Sequence, residues 1–111
     1  MRPNILSRPE KKLLSSSHSR LRWVIVDEDA NGALLNPDQD KLYITISDYT
    51  GKAIVSHALM RKVQDGIYDY EWDVAGIPSV RYEIELRGNF QVPDQLIERT
   101  YEILNLYTPP P

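Results

Sequence analysis

Asp27-Glu28-Asp29-Ala30-Asn31-Gly32 has the residue types and spacing to bind a hard cation. It reads D-x-D-x-N-G, and Asp38 stands at the twelfth position, counting Asp27 as the first. Calcium takes six to eight oxygen ligands, and a loop with acidic side chains at positions 1, 3, 5 and 12 and glycine at 6 is one way to supply them. A helix should lead into such a loop and another should leave it. Here Leu21-Arg22-Trp23-Val24-Ile25-Val26 precedes it and Leu42-Tyr43-Ile44-Thr45-Ile46 follows, both with the β-branched, apolar character of strands. Pro37 restricts the exit. The expectation is therefore an acidic turn between strands, in which Asp, Asn and Gly supply local hydrogen bonds and positive φ. No specific calcium site is expected at Asp27, Asp29, Asn31 and Asp38.

The other reactive residue types form no constellation in the sequence. His18 and His57 are far apart, and neither has a partner at ligand spacing. The serines and aspartates lack a nucleophile motif. The five glycines sit at turns, and no phosphate-cradling loop is present. Tyr68, Tyr70 and Trp72 could form an aromatic platform for a sugar, but they share the period of a core face and are assigned to the core. Tyr43 and Tyr49 fall off that register and are the candidate surface anchors. No catalytic residue, metal ligand or cofactor is expected.

These residues must be positioned by strands. From Gly66 to Arg87 the chain alternates apolar and charged residues in two runs. Tyr68, Tyr70 and Trp72 interleave with Asp69, Glu71 and Asp73; Val80, Tyr82, Ile84 and Leu86 interleave with Arg81, Glu83, Glu85 and Arg87. Side chains on a strand alternate between faces, so each run gives one buried and one wet face. Further strands are expected over Leu21–Val26, Lys41–Ser47, Ala53–Val55, Arg61–Gln64 and Leu96–Leu106. Asp65-Gly66 is a hairpin signal, and Asp48 to Lys52 is a turn with Gly51 placed for positive φ. His57–Met60 is ambiguous, with one turn of helix as an alternative. Leu42, Ile44, Trp72, Tyr82, Ile84 and Tyr101 are expected to face one core. Tyr82 also stands where a tyrosine corner occurs in some sandwiches, with ordinary packing the preferred reading. Seven or so short strands with turns every 8–12 residues give an all-β fold, an immunoglobulin-like antiparallel β-sandwich over residues 20–107.

Chain length and composition narrow the class. The 111 residues suit one domain, and 26% charged residues is ordinary for a soluble protein. There is no cysteine, so disulfides and thiolate metal sites are excluded. No apolar run reaches the roughly 20 residues needed to span a bilayer as a helix. No signal-peptide core is seen near Met1, so Sec export is not expected. Net charge is −3, but residues 1–22 carry six basic residues against Glu10, giving +5 and leaving −8 for the rest.

This basic stretch, with Pro3, Pro9 and Ser15 to Ser17, reads as an extended arm over residues 1–19, disordered until it meets a partner. Ile5, Leu6, Leu13 and Leu14 would anchor it, and Arg2, Arg8, Lys11 and Lys12 would steer it to an acidic surface. Nucleic-acid binding is not expected, because the body is acidic and the arm lacks interleaved aromatics. Residues 108–111 complete a stiff proline-rich tail.

From Val26 to Ile103 the order of elements resembles small immunoglobulin-like domains encoded among tailed-bacteriophage structural genes. The resemblance rests on Asn36-Pro37-Asp38 ahead of Leu42-Tyr43-Ile44-Thr45-Ile46, the Asp48 to Gly51 turn, and Met60-Arg61-Lys62-Val63 leading into Asp65-Gly66-Ile67-Tyr68-Asp69-Tyr70-Glu71-Trp72. Tyr82-Glu83-Ile84-Glu85-Leu86 and the closing strand from Glu98 to Ile103 follow. The resemblance implies a non-enzymatic virion component: a head decoration, neck or tail accessory protein assembled in the host cytoplasm. Its partners would be other virion proteins, repeated symmetrically or as a homo-oligomer, with no membrane contact. The alternative is an immunoglobulin-like binding module of a bacterial surface or secreted protein, recognising carbohydrate.

Overall fold

Alternating side chains force each strand to hide one face, and two sheets satisfy this by closing on each other. A computed structural model of the chain describes residues 1–9, 18–73 and 81–103. Nine strands run through them: β1 (Pro3–Ser7), β2 (His18–Asp27), β3 (Ala33–Leu34), β4 (Leu42–Ser47), β5 (Ala53–Leu59), β6 (Arg61–Gln64), β7 (Ile67–Asp73), β8 (Arg81–Gly88) and β9 (Gln95–Ile103). Every pairing is antiparallel. One sheet has the order β1-β2-β7-β6, with β3 also paired to β2; the other has the order β5-β4-β8-β9. The fold is all-β and sandwich-like.

Both sheets contribute to one core. Leu21, Trp23 and Ile25 enter from β2, and Tyr68 and Trp72 from β7. Leu42, Ile44 and Ile46 of β4 and Tyr82, Ile84 and Leu86 of β8 face them. Trp72 meets Tyr82 edge-on, with ring centroids 5.5 Å apart and planes at 82°, an arrangement that suits the charge distribution of aromatic rings. The expected inward residues Leu42, Ile44, Trp72, Tyr82 and Ile84 are all in this core. The side chain of Tyr101 lies outside the described residues. Trp23 is also buried, and its Nε1 finds no hydrogen-bond partner among the described residues.

The β6–β7 hairpin turns at Asp65-Gly66 as expected, with Gly66 at φ 73°. Asn36 closes this corner. Its Oδ1 accepts from Gly66 N at 2.9 Å and from the Tyr68 hydroxyl at 3.0 Å, while its Nδ2 donates to Asp65 Oδ1 at 3.1 Å. A glycine is required here. A Cβ at position 66 would lie 2.9 Å from both the Ile25 carbonyl oxygen and Leu34 Cβ.

Three features differ from the sequence expectation. Pro3–Ser7 is a strand paired to β2, with Ile5 buried in the core, so the described part of the N-terminal segment is integrated in the sheet. Among the described residues of this segment Ile5 is the one buried in the core, and the ladder to Val24–Asp27 supplies the hydrogen bonds. His57–Leu59 continues β5 instead of forming a helical turn. The strand accommodates the extra residue through a register shift opposite Ile44–Ile46, with His57 at φ 49°. Asp69, assigned to the wet face, is buried. Ser79, Val80, residues 104–106 and the tail at 108–111 lie outside the described residues.

Candidate functional site

The acidic turn is built by its own side chains. Asp27 caps a short 3₁₀ turn, Glu28–Ala30, by accepting from Asp29 N, and Asn31 closes it in the left-handed region at φ 56°. The two residues ahead of β1 then occupy its acidic groups. Arg2 N donates to Asp27 Oδ1 at 2.9 Å, Arg2 Nε reaches Glu28 at 2.8 Å, and the Met1 amine is 3.3 Å from Asp29. The backbone bond from Arg2, opposed by burial, leads the causes that hold the Asp27 carboxyl below its ordinary value. Asp38 belongs to a different corner, where its carboxylate accepts from Gln91 N. The four residues of the cation motif are thus divided between two sets of contacts. Among the described residues, no group of three or more acidic or histidine side chains is arranged to hold a metal.

The expected docking residues of the N-terminal segment are dispersed. Arg2 pairs with the acidic turn and Arg8 with Glu98 of β9. Ile5 is buried, whereas Leu6 sits at the irregularity in β1 and is 66% exposed. Lys11, Lys12, Leu13 and Leu14 lie outside the described residues.

Sequence reasoning missed the most organised polar group. On the outer face of the β1-β2-β7-β6 sheet, Arg22 of β2 and Arg61 of β6 both stand opposite Asp69 of β7 in the strand register. This makes one row across three strands, Arg22–Asp69–Arg61. Arg61 grips the carboxylate with two bonds, Nε to Oδ1 at 3.1 Å and a terminal nitrogen to Oδ2 at 3.0 Å. Arg22 donates to the same Oδ2 at 3.1 Å. In the next row Arg20 pairs with Glu71 at 2.9 Å and lies 3.8 Å from Asp69. The Asp69 side chain is 1% exposed, while those of Arg20, Arg22 and Arg61 are 54%, 44% and 65% exposed. The Arg61 fork, acting against burial and aided by Arg22, holds the Asp69 carboxyl below its ordinary value. Asp69 also lifts Arg61 above its ordinary value, chiefly through the same hydrogen bonds.

The only sequence signal for this group was arginine at alternate positions, 20 and 22, on a strand whose partner carries acidic residues at alternate positions. Cross-strand pairing of such runs needs the register, which the hairpin and the core settle.

A second feature is an open cleft of about 480 Å³ lined by Asp48, Tyr49, Gly51, Arg81 and Glu83. Asp48 organises the turn beside it by accepting from Thr50 N at 2.9 Å and Lys52 N at 3.0 Å. Tyr49 is 74% exposed, as its place off the apolar register implied. Tyr43 instead stacks on His57, with centroids 4.1 Å apart and planes 7° from parallel, which gives that histidine a packing role at the sheet edge.

No family model, curated protein or solved structure matches the chain.

Proposed function

We propose that the chain is an immunoglobulin-like, non-enzymatic structural module of a tailed-phage virion, used in a head decoration, neck or tail accessory part. The observation that carries the fold reading is the strand order. Setting aside the two-residue β3 and lettering the remaining strands in sequence gives A-B-E-D opposite C′-C-F-G. A four-stranded ABED sheet facing a CFG sheet extended by C′ is a strand order used by immunoglobulin-like sandwiches, and it supports that reading. Support for the virion role comes from the resemblance of the segments between Val26 and Ile103. The chain would be repeated in the particle as a homo-oligomer or by symmetry, beside other virion proteins.

Contact with neighbouring subunits would run through the N-terminal segment between β1 and β2. Leu6 of β1, just ahead of it, is exposed, and Lys11, Lys12, Leu13 and Leu14 fall within it in sequence. Mass spectrometry of density-banded particles tests the role: the chain is expected in fixed ratio to the capsid or tail proteins. Its recovery in the unbanded protein alone refutes the proposal.

The Tyr49 cleft favours a second reading, a carbohydrate-recognising surface module. An exposed aromatic ring flanked by Asp48 and Glu83 offers a stacking face and acceptors for sugar hydroxyls. Saturable binding on a glycan array, lost in Tyr49→Ala, would select that reading over the first.

A further inference from the structure

A carboxylate that serves only to neutralise one arginine does not need to be buried beneath three. Asp69 lies under Arg20, Arg22 and Arg61, which come from β2 and β6 on either side of it. Arg20 is paired with Glu71, but in the row Arg22–Asp69–Arg61 two positive charges share one negative, so that row retains a surplus cation. The nitrogens of Arg22 and Arg61 that share Oδ2 stand 3.1 and 3.0 Å from it, so they are at most about 6 Å apart. Neither guanidinium spends all its donors. Arg61 commits Nε and one terminal nitrogen, and Arg22 commits one terminal nitrogen. A guanidinium carries five N–H donors in a planar fork. The remaining donors belong to half-exposed side chains that the buried Asp69 already holds in place.

The geometry points to an oxyanion-docking surface at Arg20, Arg22 and Arg61 that receives carboxylates from an acidic segment of a partner protein. Holding the arginines before contact removes part of the side-chain entropy that docking would otherwise cost. Arginine forks accept carboxylate and phosphate oxygens equally well, so the surroundings must choose between sources. Two features favour protein. Glu71 and Asp73 are exposed on the same outer face of β7 and repel a stiff, continuous polyanion such as a duplex backbone, while a short flexible acidic peptide can turn its remaining carboxylates away from them. In the next row beyond Arg22–Asp69, Val24 stands opposite Ile67, both half-buried, and offers the apolar contact typical of protein interfaces. This inference does not depend on where the domain is used, so its test needs no particle.

The full chain, labelled with ¹⁵N, is titrated at low salt with hexaglutamate, with inorganic phosphate and with a short DNA duplex. The side-chain Nε–Hε signals of the arginines are followed. Hexaglutamate is expected to move the Arg22 and Arg61 signals saturably, and added salt should weaken the binding. Arg22→Gln should lower the affinity about tenfold, the loss of one charge-assisted contact. Arg99→Gln, on β9 of the other sheet, should leave it unchanged. Arg22→Lys, which keeps the charge and the fold but not the fork, should also weaken binding. The inference is overturned if hexaglutamate produces no saturable shift, if inorganic phosphate or the duplex binds more tightly, or if Arg22→Gln and Arg99→Gln lower affinity equally.

Discussion

Replacing Asp69 by Asn tests whether the arginine face is held from beneath. The substitution keeps the side chain's shape but removes its charge and turns one acceptor oxygen into a donor. Two bonds from Arg61 and one from Arg22 end on the carboxylate. Breaking a fully buried ion pair costs about 3–5 kcal/mol, because the surviving charge is stranded. Here the surviving charges are half in water, with 44–65% of each arginine side chain exposed, and they can be rehydrated. The loss should therefore be about 2 kcal/mol at about pH 7, or roughly a 10 °C fall in Tm for a domain of this size.

The pH dependence fixes the cause. The folded carboxyl titrates below its unfolded value. Its stabilisation is complete above the unfolded value, near pH 4, and disappears as the pH falls through the folded value. Urea unfolding of both proteins at about pH 7 and about pH 2.5 should show a gap of about 2 kcal/mol at the higher pH that narrows toward the lower. A gap below about 0.5 kcal/mol at neutral pH, ordinary for a surface change, would refute the reasoning, as would a gap that does not narrow on acidification.

Trp72→Ala should cost about 3–5 kcal/mol in chemical denaturation, since the ring is 4% exposed and packs on Tyr82; a loss under about 1 kcal/mol would place it at the surface. Ile5→Ala should cost about 2 kcal/mol, because β1 enters the core through this residue; an unchanged unfolding midpoint would show that the N-terminal segment does not contribute to the folded domain. Gly66→Ala should cost at least about 2 kcal/mol, combining the left-handed backbone with contacts at 2.9 Å that cannot relax without moving β2; thermal melts measure it directly.

Much of the fold was legible because alternation is a local property. β4, β7 and β8 carry it residue by residue, and Asp65-Gly66 punctuates the hairpin between β6 and β7. β1 was not legible. Pro3-Asn4-Ile5-Leu6-Ser7 has one inward residue, and nothing within it reveals that β2 offers an edge to pair with. The irregular β5 was half legible, because the bulge at His57 breaks the period that would have marked the strand.

The arginine row was hidden for a related reason. Asp69 looks like any outward residue of its run, and its burial follows from long side chains on two neighbouring strands folding over it. Asn36 was visible only as a turn residue, since its partners Gly66 and Tyr68 stand 30 and 32 positions away. The D-x-D-x-N-G run differs in the opposite way. Its letters are local, but its twelfth position turns to a different loop.

The buried, unpartnered indole of Trp23 makes the molecule its own optical probe. Both tryptophans sit in the core, at 1% and 4% exposure, and no other residue competes for that emission. With Nε1 unbonded in apolar surroundings, Trp23 should emit to the blue of an indole in water. Trp72, edge-on to Tyr82 across the gap between the sheets, senses whether the two layers remain closed. Trp23 lies on the strand that carries Arg20 and Arg22, beneath the outer face. Two single-tryptophan variants, Trp72→Phe and Trp23→Phe, would therefore report separately on the layer that bears the arginines and on the seam between layers, without an added dye.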